Sequence, residues 1–415
     1  MNPDPSAAPP TTRAHWDTAY EIKAVGLLSL GFGLVGLDRF IINPLFPVMQ
    51  KELGLNYQDL GLISAVLALT WGVASIFAGR LGDRIGPKRV LVPAIVVFSV
   101  LVASTGLASG MASLLLIRAL MGLAEGAYVP ASVVATLEAS RPTRTGMNVG
   151  IQQMAAPLVG LGLGPVVAVA LLKVMPSWHW VFAVVAVPGL LLAVVMARTL
   201  RDSVPAAPST GRTAPFSELL RHRAVIVNAV AMACFLSCLI TLAAFMPSYL
   251  VDHLHLGLDA MGLVLGALGA GSCVGMVAVP ALSDRVGRKP VMLLSLAVAI
   301  GGLWLLPTLG AEPLLPLATA LFAVSFMIAG VVAITVGPLT SAAVPAHMAT
   351  SATGLVIGVG EIVGGALAPA VAGGLSQQFG ITVVPQIALA AAVAGLLLVA
   401  FGMREPRPAA GLRAA

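Results

Sequence analysis

Long apolar runs alternate with short polar connections along most of this 415-residue chain. A helix needs about 20 apolar residues to cross the roughly 30 Å hydrocarbon core of a bilayer, and runs of that length recur throughout. The pattern predicts twelve membrane-spanning helices, numbered 1 to 12 here, at residues 22–49, 57–79, 90–110, 112–137, 147–172, 178–200, 223–250, 260–281, 291–308, 314–340, 351–375 and 381–402.

The longest polar stretch lies between helices 6 and 7. It contains Ser203-Val-Pro-Ala-Ala-Pro-Ser-Thr-Gly-Arg-Thr-Ala-Pro215, whose proline and small polar residues are typical of a linker. The sequence therefore predicts five segments: an N-terminal tail at 1–21, an N-terminal six-helix bundle at 22–200, a linker at 201–220, a C-terminal six-helix bundle at 221–403 and a C-terminal tail at 404–415.

Two polar segments show that the second half repeats the first. Gly79-Arg-Leu-Gly-Asp-Arg-Ile-Gly-Pro-Lys-Arg89 joins helices 2 and 3, and Leu282-Ser-Asp-Arg-Val-Gly-Arg-Lys289 joins helices 8 and 9. Three residue pairs recur at an offset of 201 positions: Asp83 with Asp284, Gly86 with Gly287 and Lys88 with Lys289. Phe46-Pro47 and Met246-Pro247 repeat at an offset of 200. Duplicated halves of this kind are typical of secondary transporters.

Composition agrees with a membrane protein, because 58% of the residues are hydrophobic and only 10% are charged. We expect an all-α fold with the lipid bilayer as its surroundings. Of 23 Lys and Arg residues, 19 fall on one side of the predicted helices, which places both termini in the cytoplasm. The net charge of +6 then reflects topology, and a nucleic-acid partner is not expected.

Several other classes of site are not supported by the sequence. The N-terminus lacks a cleavable signal pattern, and Cys234, Cys238 and Cys273 lie inside predicted spans, where they give no disulfide or metal framework. His253 and His255 have no further clustered ligand. No phosphate-binding loop is present, so we expect neither a metal nor a cofactor and take an ion gradient as the energy source.

Five ionisable residues fall inside the apolar runs: Asp38, Arg39, Arg118, Glu125 and Glu361. A charge at bilayer depth costs about 2.5–3.5 kcal/mol on insertion scales, so such residues are usually structural pairs or functional groups. Arg118 and Glu125 are seven positions apart and therefore share a face of helix 4. Either pair, Asp38 with Arg39 or Arg118 with Glu125, could also be a permanent structural contact.

The two polar segments resemble the Gly-x-x-x-Asp-Arg-x-Gly-Arg-Lys signature of the major facilitator superfamily. Over nearly the whole chain the sequence is similar to that superfamily, and the resemblance implies two pseudo-symmetric six-helix bundles. Three strings resemble its anion:cation symporter branch, which includes bacterial sugar-acid symporters and vesicular organic-anion carriers: Asp38-Arg39, Arg118-Ala-Leu-Met-Gly-Leu-Ala-Glu125-Gly-Ala-Tyr-Val-Pro130 and Phe245-Met-Pro-Ser-Tyr249-Leu.

The resemblance implies that Asp38 and Glu125 exchange the coupling proton, and that Arg39 either contacts a substrate carboxylate or controls a neighbouring carboxylate. Arg118 has a proton-relay or a structural role, and a similar helix 4 pattern occurs in proton-coupled drug exporters. Glu361 departs from the sugar-acid pattern, in which a neutral amide is expected. Three functional roles stay open for it: protonation during transport, pairing with a cation, or contact with a cationic group of the substrate. The alternative is a structural hydrogen bond.

Further polar side chains are candidates for substrate contact. They lie in helices 1, 4, 5 and 7 and are Asn43, Tyr128, Gln152, Gln153 and Tyr249. We expect at most one of the two glutamines to face a cavity. The two polar segments, with residues at the end of helix 4, are candidates for a cytoplasmic gate, although they could serve only as topology signals. The gate candidates are Gly79, Asp83, Arg84, Gly86, Lys88, Arg89, Glu138, Arg141, Asp284, Arg285, Gly287 and Arg288.

The sequence thus predicts a transporter and no enzyme. We expect a monomeric, alternating-access symporter that takes up a small organic anion with protons across a plasma membrane, such as the inner membrane of a bacterium. The alternative is a proton-coupled antiporter that exports drugs or amphipathic metabolites, which the Gly160-Leu-Gly-Leu-Gly-Pro165 run in helix 5 favours slightly. A sensor without turnover is a third, weaker hypothesis.

Overall fold

The computed structural model describes residues 16–202, 216–345 and 348–403, with the side chains of 76–84, 146, 216–217 and 349–351 left undescribed. Within these ranges all regular structure is helical, and twelve helices are long and apolar enough to span a membrane. The predicted fold class and the number of spans are confirmed. The boundaries of the tails, linker and bundles stay predictions, and residues 1–15, 203–215 and 404–415 lie outside the described residues.

The first six spans occupy residues 16–202, here called the N-terminal half. Helices 1 and 5 are interrupted, and the other four are continuous. The bounds are Thr18–Phe40 and Ile42–Leu53 for helix 1, Tyr57–Ile85 for helix 2, Pro87–Thr105 for helix 3, Met111–Ala139 for helix 4, Thr145–Pro157, Leu158–Leu163 and Gly164–Val174 for helix 5, and Trp178–Thr199 for helix 6.

The last six spans occupy residues 216–403, here called the C-terminal half, which begins with a short helix at Phe216–Leu219. The bounds are Arg223–Ser248 and Tyr249–His253 for helix 7, Leu258–Val286 for helix 8, Arg288–Leu305 and Leu306–Thr308 for helix 9, Leu314–Ile334 and Thr335–Leu339 for helix 10, Ala349–Gly360, Glu361–Leu367 and Ala368–Phe379 for helix 11, and Ile381–Val383, Val384–Leu397 and Leu398–Gly402 for helix 12.

The interruptions have local causes that bear on the site. Pro44 and Pro47 carry no backbone N–H, so the carbonyls of the residues four positions earlier lose their usual donors. Helix 1 breaks at Ile41, two residues beyond Arg39. The middle segments of helices 5 and 11 are π-helical, a widened geometry that is frequent at functional sites. Glu361 begins the π-helical segment of helix 11.

The two halves meet across equivalent positions. Asn43 donates from Nδ2 to the carbonyl of Ala243 at 3.1 Å, and these residues are 200 positions apart. That separation equals the repeat offset of Phe46 and Met246 in the sequence. The contact between helices 1 and 7 therefore joins residues that the duplication relates, as expected on a pseudo-two-fold axis.

Both ends of the described chain lie at the same membrane face, which we call the terminal face. The other side, the opposite face, carries direct bonds between the halves. The Tyr57 hydroxyl donates to Asp252 at 2.9 Å, and Lys173 pairs with Asp259. The Tyr57 amide also donates to the side chain of Gln377 at 3.3 Å. These bonds link the loop ends of helices 2 and 5 to those of helices 7, 8 and 11.

Close helix packing accompanies these bonds on the opposite side. A Cβ atom at Gly373 of helix 11 would lie 2.6 Å from the Tyr57 carbonyl oxygen, and one at Gly61 of helix 2 would lie 2.3 Å from the Pro369 carbonyl oxygen. Between helices 5 and 8, a Cβ at Gly269 would lie 2.2 Å from the Cα of Gly162. Glycine is required at these contacts, which we call the glycine seal.

Near the terminal face, the following bonds between described residues run within one half. Lys88 pairs with Asp202 at 3.5 Å, and Arg201 pairs with Asp17. The Tyr20 amide and the Arg201 guanidinium together hold the pKa of Asp17 below its usual range. In the C-terminal half, the Lys289 ammonium donates to the carbonyls of Ala400 and Met403 at 2.8 and 2.9 Å. These bonds tie each half together internally.

Candidate functional site

The centre of the molecule holds an ion pair between the halves. Arg39 of helix 1 donates from Nη2 to Oε2 of Glu361 in helix 11 at 2.6 Å, and Nη1 lies 3.5 Å from Oε1. The two side chains are only 15% and 12% exposed. Gly365 makes room for the pair, because a Cβ there would lie 2.6 Å from Glu361 Oε2. Two sequence candidates, 322 positions apart, therefore meet in a two-pronged contact.

A second group of ionisable side chains lies behind this pair. Arg118 donates from Nη1 to the backbone carbonyl of Asp38 at 3.0 Å, while its Nε and Nη2 have no hydrogen-bond partner among the described residues. Glu125 is fully buried, and both of its carboxyl oxygens are likewise without a partner in that part of the chain. Asp38, Arg118 and Glu125 interact electrostatically, and Glu125 also interacts with the positive charge of Arg39.

A cavity opens onto both arginines. Helices 1, 2, 4, 7 and 11 supply its lining, so both halves contribute. The polar lining consists of Arg39, Asn43, Ser64 and Arg118, and the rest is apolar: Phe40, Ile42, Ile63, Leu67, Ile240, Ala244 and Gly365. The site thus combines two guanidiniums with a mainly hydrocarbon wall. A carboxylate bound there would be oriented by guanidinium donors and shielded from water.

Two aromatic rings flank Arg39. Its guanidinium carbon lies 5.6 Å from the centre of the Phe40 ring and 5.8 Å from that of Trp71, within cation–π range. The indole N–H of Trp71 is buried without a hydrogen-bond partner among the described residues. Sequence reasoning missed Trp71, Ser64 and Leu67 because uncharged residues in helix 2 do not stand out from lipid-facing ones.

The structure does not bring the other substrate candidates to this cavity. The Tyr128 hydroxyl is buried 3.4 Å from the carbonyl of Leu28, and Tyr249 is buried at the end of helix 7 beside His253. Gln153 donates to Gln152, whose own amide nitrogen donates to Ser132. Only Arg39 and Asn43 of the substrate candidates line the cavity, and Glu361 reaches it through Arg39.

The gate candidates occupy the helix connections of the terminal face. Gly86 and Gly287 both have positive φ, 88° and 108°, where each polar segment turns into the next helix, a conformation that favours glycine. Arg288 donates to the carbonyl of Pro338 at 2.6 Å, which fixes the second segment to helix 10. The backbone amide of Arg141 donates to Glu21 at 3.2 Å.

Other gate candidates have fewer described contacts. Lys88 pairs with Asp202, as noted above, and Arg89, Glu138, Asp284 and Arg285 are exposed. The backbone of Gly79, Asp83 and Arg84 is helical at the end of helix 2, but the side chains of Asp83 and Arg84 are not described. The proposed pairing of the first segment with the end of helix 4 therefore stays a prediction.

The described residues contain no cluster of three or more His, Cys, Asp and Glu side chains that could hold a metal ion. The expectation that the protein uses no cofactor stays a prediction.

Comparison with known proteins gives the same architecture. A model of the family described as Major Facilitator Superfamily matches residues 28–362. A bacterial homologue of the human lysosomal transporter Spinster, in an inward-facing and occupied conformation, superimposes with a TM-score of 0.76 over 94% of this chain and 99% of that chain at 16% identity. A mutant of the nucleoside transporter NupG gives 0.74 over 91% and 100% at 13% identity.

Sequence relatives carry the names of organic-acid transporters. The chain is 28% identical over 266 residues to the hexuronate transporter of Bacillus subtilis, covering 61% of this chain and 62% of that protein. It is 26% identical to the probable 4-methylmuconolactone transporter of Cupriavidus pinatubonensis over 80% of this chain and 79% of that one. It is also 26% identical to the 3-(3-hydroxy-phenyl)propionate transporter of Escherichia coli over 69% and 70%.

The family match covers most of the chain, and the matched relatives and the solved structures are transporters with the same fold. The prediction of a multi-pass transporter is therefore confirmed, and the chain is a member of the Major Facilitator Superfamily.

Proposed function

We propose that this protein takes up a small organic carboxylate together with protons by alternating access. The observation that carries the proposal is the ion pair between Arg39 and Glu361, which joins the two halves at the wall of the central cavity. The names of these relatives, which refer to two organic acids and a lactone, support the same class of substrate.

Binding proceeds by exchange of carboxylates on Arg39. The guanidinium already holds one carboxylate, that of Glu361, in a two-pronged contact. A substrate carboxylate presents the same planar acceptor and takes its place. Displacement breaks the bond between helices 1 and 11, so occupancy of the site alters a contact on which the relative position of the halves depends.

Charge balance then links the exchange to protons. The central site contains three carboxyls, those of Asp38, Glu125 and Glu361, and two guanidiniums, those of Arg39 and Arg118. With all five groups ionised the empty site carries one negative charge, so one bound proton makes it neutral. A bound monoanion adds a second negative charge, so two protons are then needed for neutrality. Because a net charge is expensive within the bilayer, the anion enters with one additional proton. Glu361, released from Arg39, and the unpartnered Glu125 are the acceptors nearest to the exchanged anion.

The arrangement of bonds supports a carrier closed on the opposite face. The bonds of Tyr57 and Lys173 and the glycine seal join the halves there, which favours access to the cavity from the terminal face. If the termini are cytoplasmic, as the distribution of Lys and Arg predicts, this is the inward-open state of an uptake cycle.

The test is uptake of labelled organic anions by proteoliposomes under an inward proton gradient, with protein-free vesicles subtracted. We expect accumulation in the native protein and its loss in Arg39→Ala. Glu125→Gln and Glu361→Gln should retain exchange of internal for external anion but lose net accumulation. Arg201→Ala, which removes an exposed guanidinium at the terminal face, is the matched control and should transport normally.

Failure of every anion to accumulate would contradict the proposal. Movement of an amphipathic compound against an opposing proton gradient in the same vesicles would instead establish the exporter.

A further inference from the structure

The walls of the central cavity are mostly hydrocarbon. Ile42, Ile63, Leu67 and Ile240 come from helices 1, 2 and 7 and line the same cavity as Arg39. The polar residues of the lining are Arg39, Arg118, Asn43 and Ser64. A ligand anchored on Arg39 therefore has a polar head region and an apolar surrounding for its body.

The amides that could bind hydroxyl groups of a substrate are already engaged. The nitrogen of Asn43 is bonded to the Ala243 carbonyl at 3.1 Å, which leaves only its oxygen free. Gln152 and Gln153 bond to Ser132 and to each other at 2.8 Å. Asn228 donates to Thr340 at 3.2 Å. A substrate with many hydroxyls would therefore find no amide donor free for them among these residues.

Aromatic rings add to the apolar character near the anchor. Phe40 and Trp71 lie 5.6 and 5.8 Å from the guanidinium carbon of Arg39. The indole N–H of Trp71 is buried without a hydrogen-bond partner among the described residues, and Trp71 is not one of the residues that line the cavity. Besides Arg39, the lining offers the unpartnered Nε and Nη2 of Arg118 and Oδ1 of Asn43, so the site suits one carboxylate, a few further polar atoms and a hydrophobic body.

We infer that the substrate is a carboxylate with a cyclic or aromatic hydrocarbon body and few hydroxyl groups, rather than a polyhydroxylated sugar acid. This inference rests on the proposed function and narrows its substrate class. Burial of a hydroxyl without a partner lowers affinity by about tenfold or more, so even a few unmatched hydroxyls exclude a sugar acid. Ile63, Leu67 and Ile240 are the residues that determine this specificity.

The test compares cyclohexanecarboxylate with quinate, which has the same ring and the same carboxylate but carries several hydroxyls. Binding to the purified protein in lipid nanodiscs is measured by calorimetry, because a weak acid crosses vesicle membranes by itself. We expect cyclohexanecarboxylate to bind at least about tenfold more tightly than quinate, and Arg39→Ala to lose both.

Two wall variants sharpen the comparison. Leu67→Asn and Ile240→Asn place amides in the wall at nearly constant size, so each should weaken cyclohexanecarboxylate binding about tenfold and strengthen that of quinate. Ile240→Val keeps the wall apolar and should change the ratio less than about threefold. Thermal unfolding of each variant with the native Tm separates a change in specificity from misfolding.

The outcomes distinguish this inference from the proposed function. Quinate binding as tightly as cyclohexanecarboxylate, with both lost in Arg39→Ala, would overturn the apolar-body inference and leave the carboxylate transporter standing. The absence of Arg39-dependent binding for either acid would count against both.

Discussion

At the scale of single residues, charge was the signal that sequence could supply. Asp38, Arg39, Arg118, Glu125 and Glu361 stand out because each interrupts an apolar run, and all five lie in the central region of the structure. Their pairing could not be predicted, since no periodicity relates residues that are 322 positions apart. The apolar wall was also invisible, because a leucine that lines a cavity and one that faces lipid give the same hydropathy.

The two-pronged contact at Arg39 predicts that charge alone will not sustain function. Arg39→Lys keeps the positive charge but offers a single ammonium instead of the planar fork, so carboxylate binding should weaken by about tenfold or more. Calorimetric titration with the tightest-binding carboxylate of the uptake panel measures the change. Arg201→Lys at the exposed pair with Asp17 is the control. Unchanged affinity in Arg39→Lys would show that the fork does not bind substrate.

Removal of the Glu361 carboxylate, which competes with the substrate for Arg39, should strengthen substrate binding. In Glu361→Gln the guanidinium of Arg39 no longer holds a carboxylate, so the substrate has less to displace and should bind about tenfold more tightly. The same titration measures this, and Glu218→Gln, an exposed residue of the short helix before helix 7, is the control. Weaker binding in Glu361→Gln would mean that Glu361 contacts the substrate directly.

At the scale of helices, hydropathy located all twelve spans but not their interruptions. Helix 2 was expected at 57–79, because the polar Asp83 and Arg84 fall outside the apolar run. The helix continues through them to Ile85. The π-helical segments at Leu158–Leu163 and Glu361–Leu367 were not predicted, since both lie within apolar, glycine-containing runs. The glycines there carried the only hint, and glycine is frequent in membrane helices in general.

The glycine seal predicts a specific effect of bulk. A side chain at Gly373 would collide with the Tyr57 carbonyl oxygen, whereas a Cβ at the neighbouring Gly374 would meet nothing within 4 Å. Gly373→Val should therefore hold the opposite face open and Gly374→Val should not. The readout is labelling of Ser64→Cys in the cavity by a membrane-impermeant thiol reagent, after Cys234, Cys238 and Cys273 are replaced by alanine. Equal labelling in both valine variants would refute the seal.

At the scale of the molecule, the sequence duplication predicted that equivalent positions of the two halves would meet. The contact of Asn43 with Ala243, 200 positions apart, has the spacing of the repeat. The sequence could not indicate which face is closed, because both arrangements of a carrier use the same residues. The bonds of Tyr57 and Lys173 give that answer for this conformation.

A carrier must release these bonds in every cycle, so a covalent link at the opposite face should stop it. Tyr57→Cys combined with Asp252→Cys, joined by a short bifunctional thiol reagent, should abolish net uptake, and cleavage of the linker should restore it. The matched link within one half is Lys88→Cys with Asp202→Cys, which should leave uptake nearly intact. Full transport in the protein linked at 57 and 252 would show that the two halves need not separate there.

The exchange of carboxylates on Arg39 is most directly tested by counting protons during binding. Calorimetric titrations of the purified protein with the tightest-binding carboxylate, in buffers of different ionisation enthalpy, give the number of protons taken up with each substrate molecule. The charge balance of the three carboxyls and two guanidiniums predicts an uptake of about one proton per monoanion in the native protein. Binding of the anion with no proton uptake in the native protein would contradict the account.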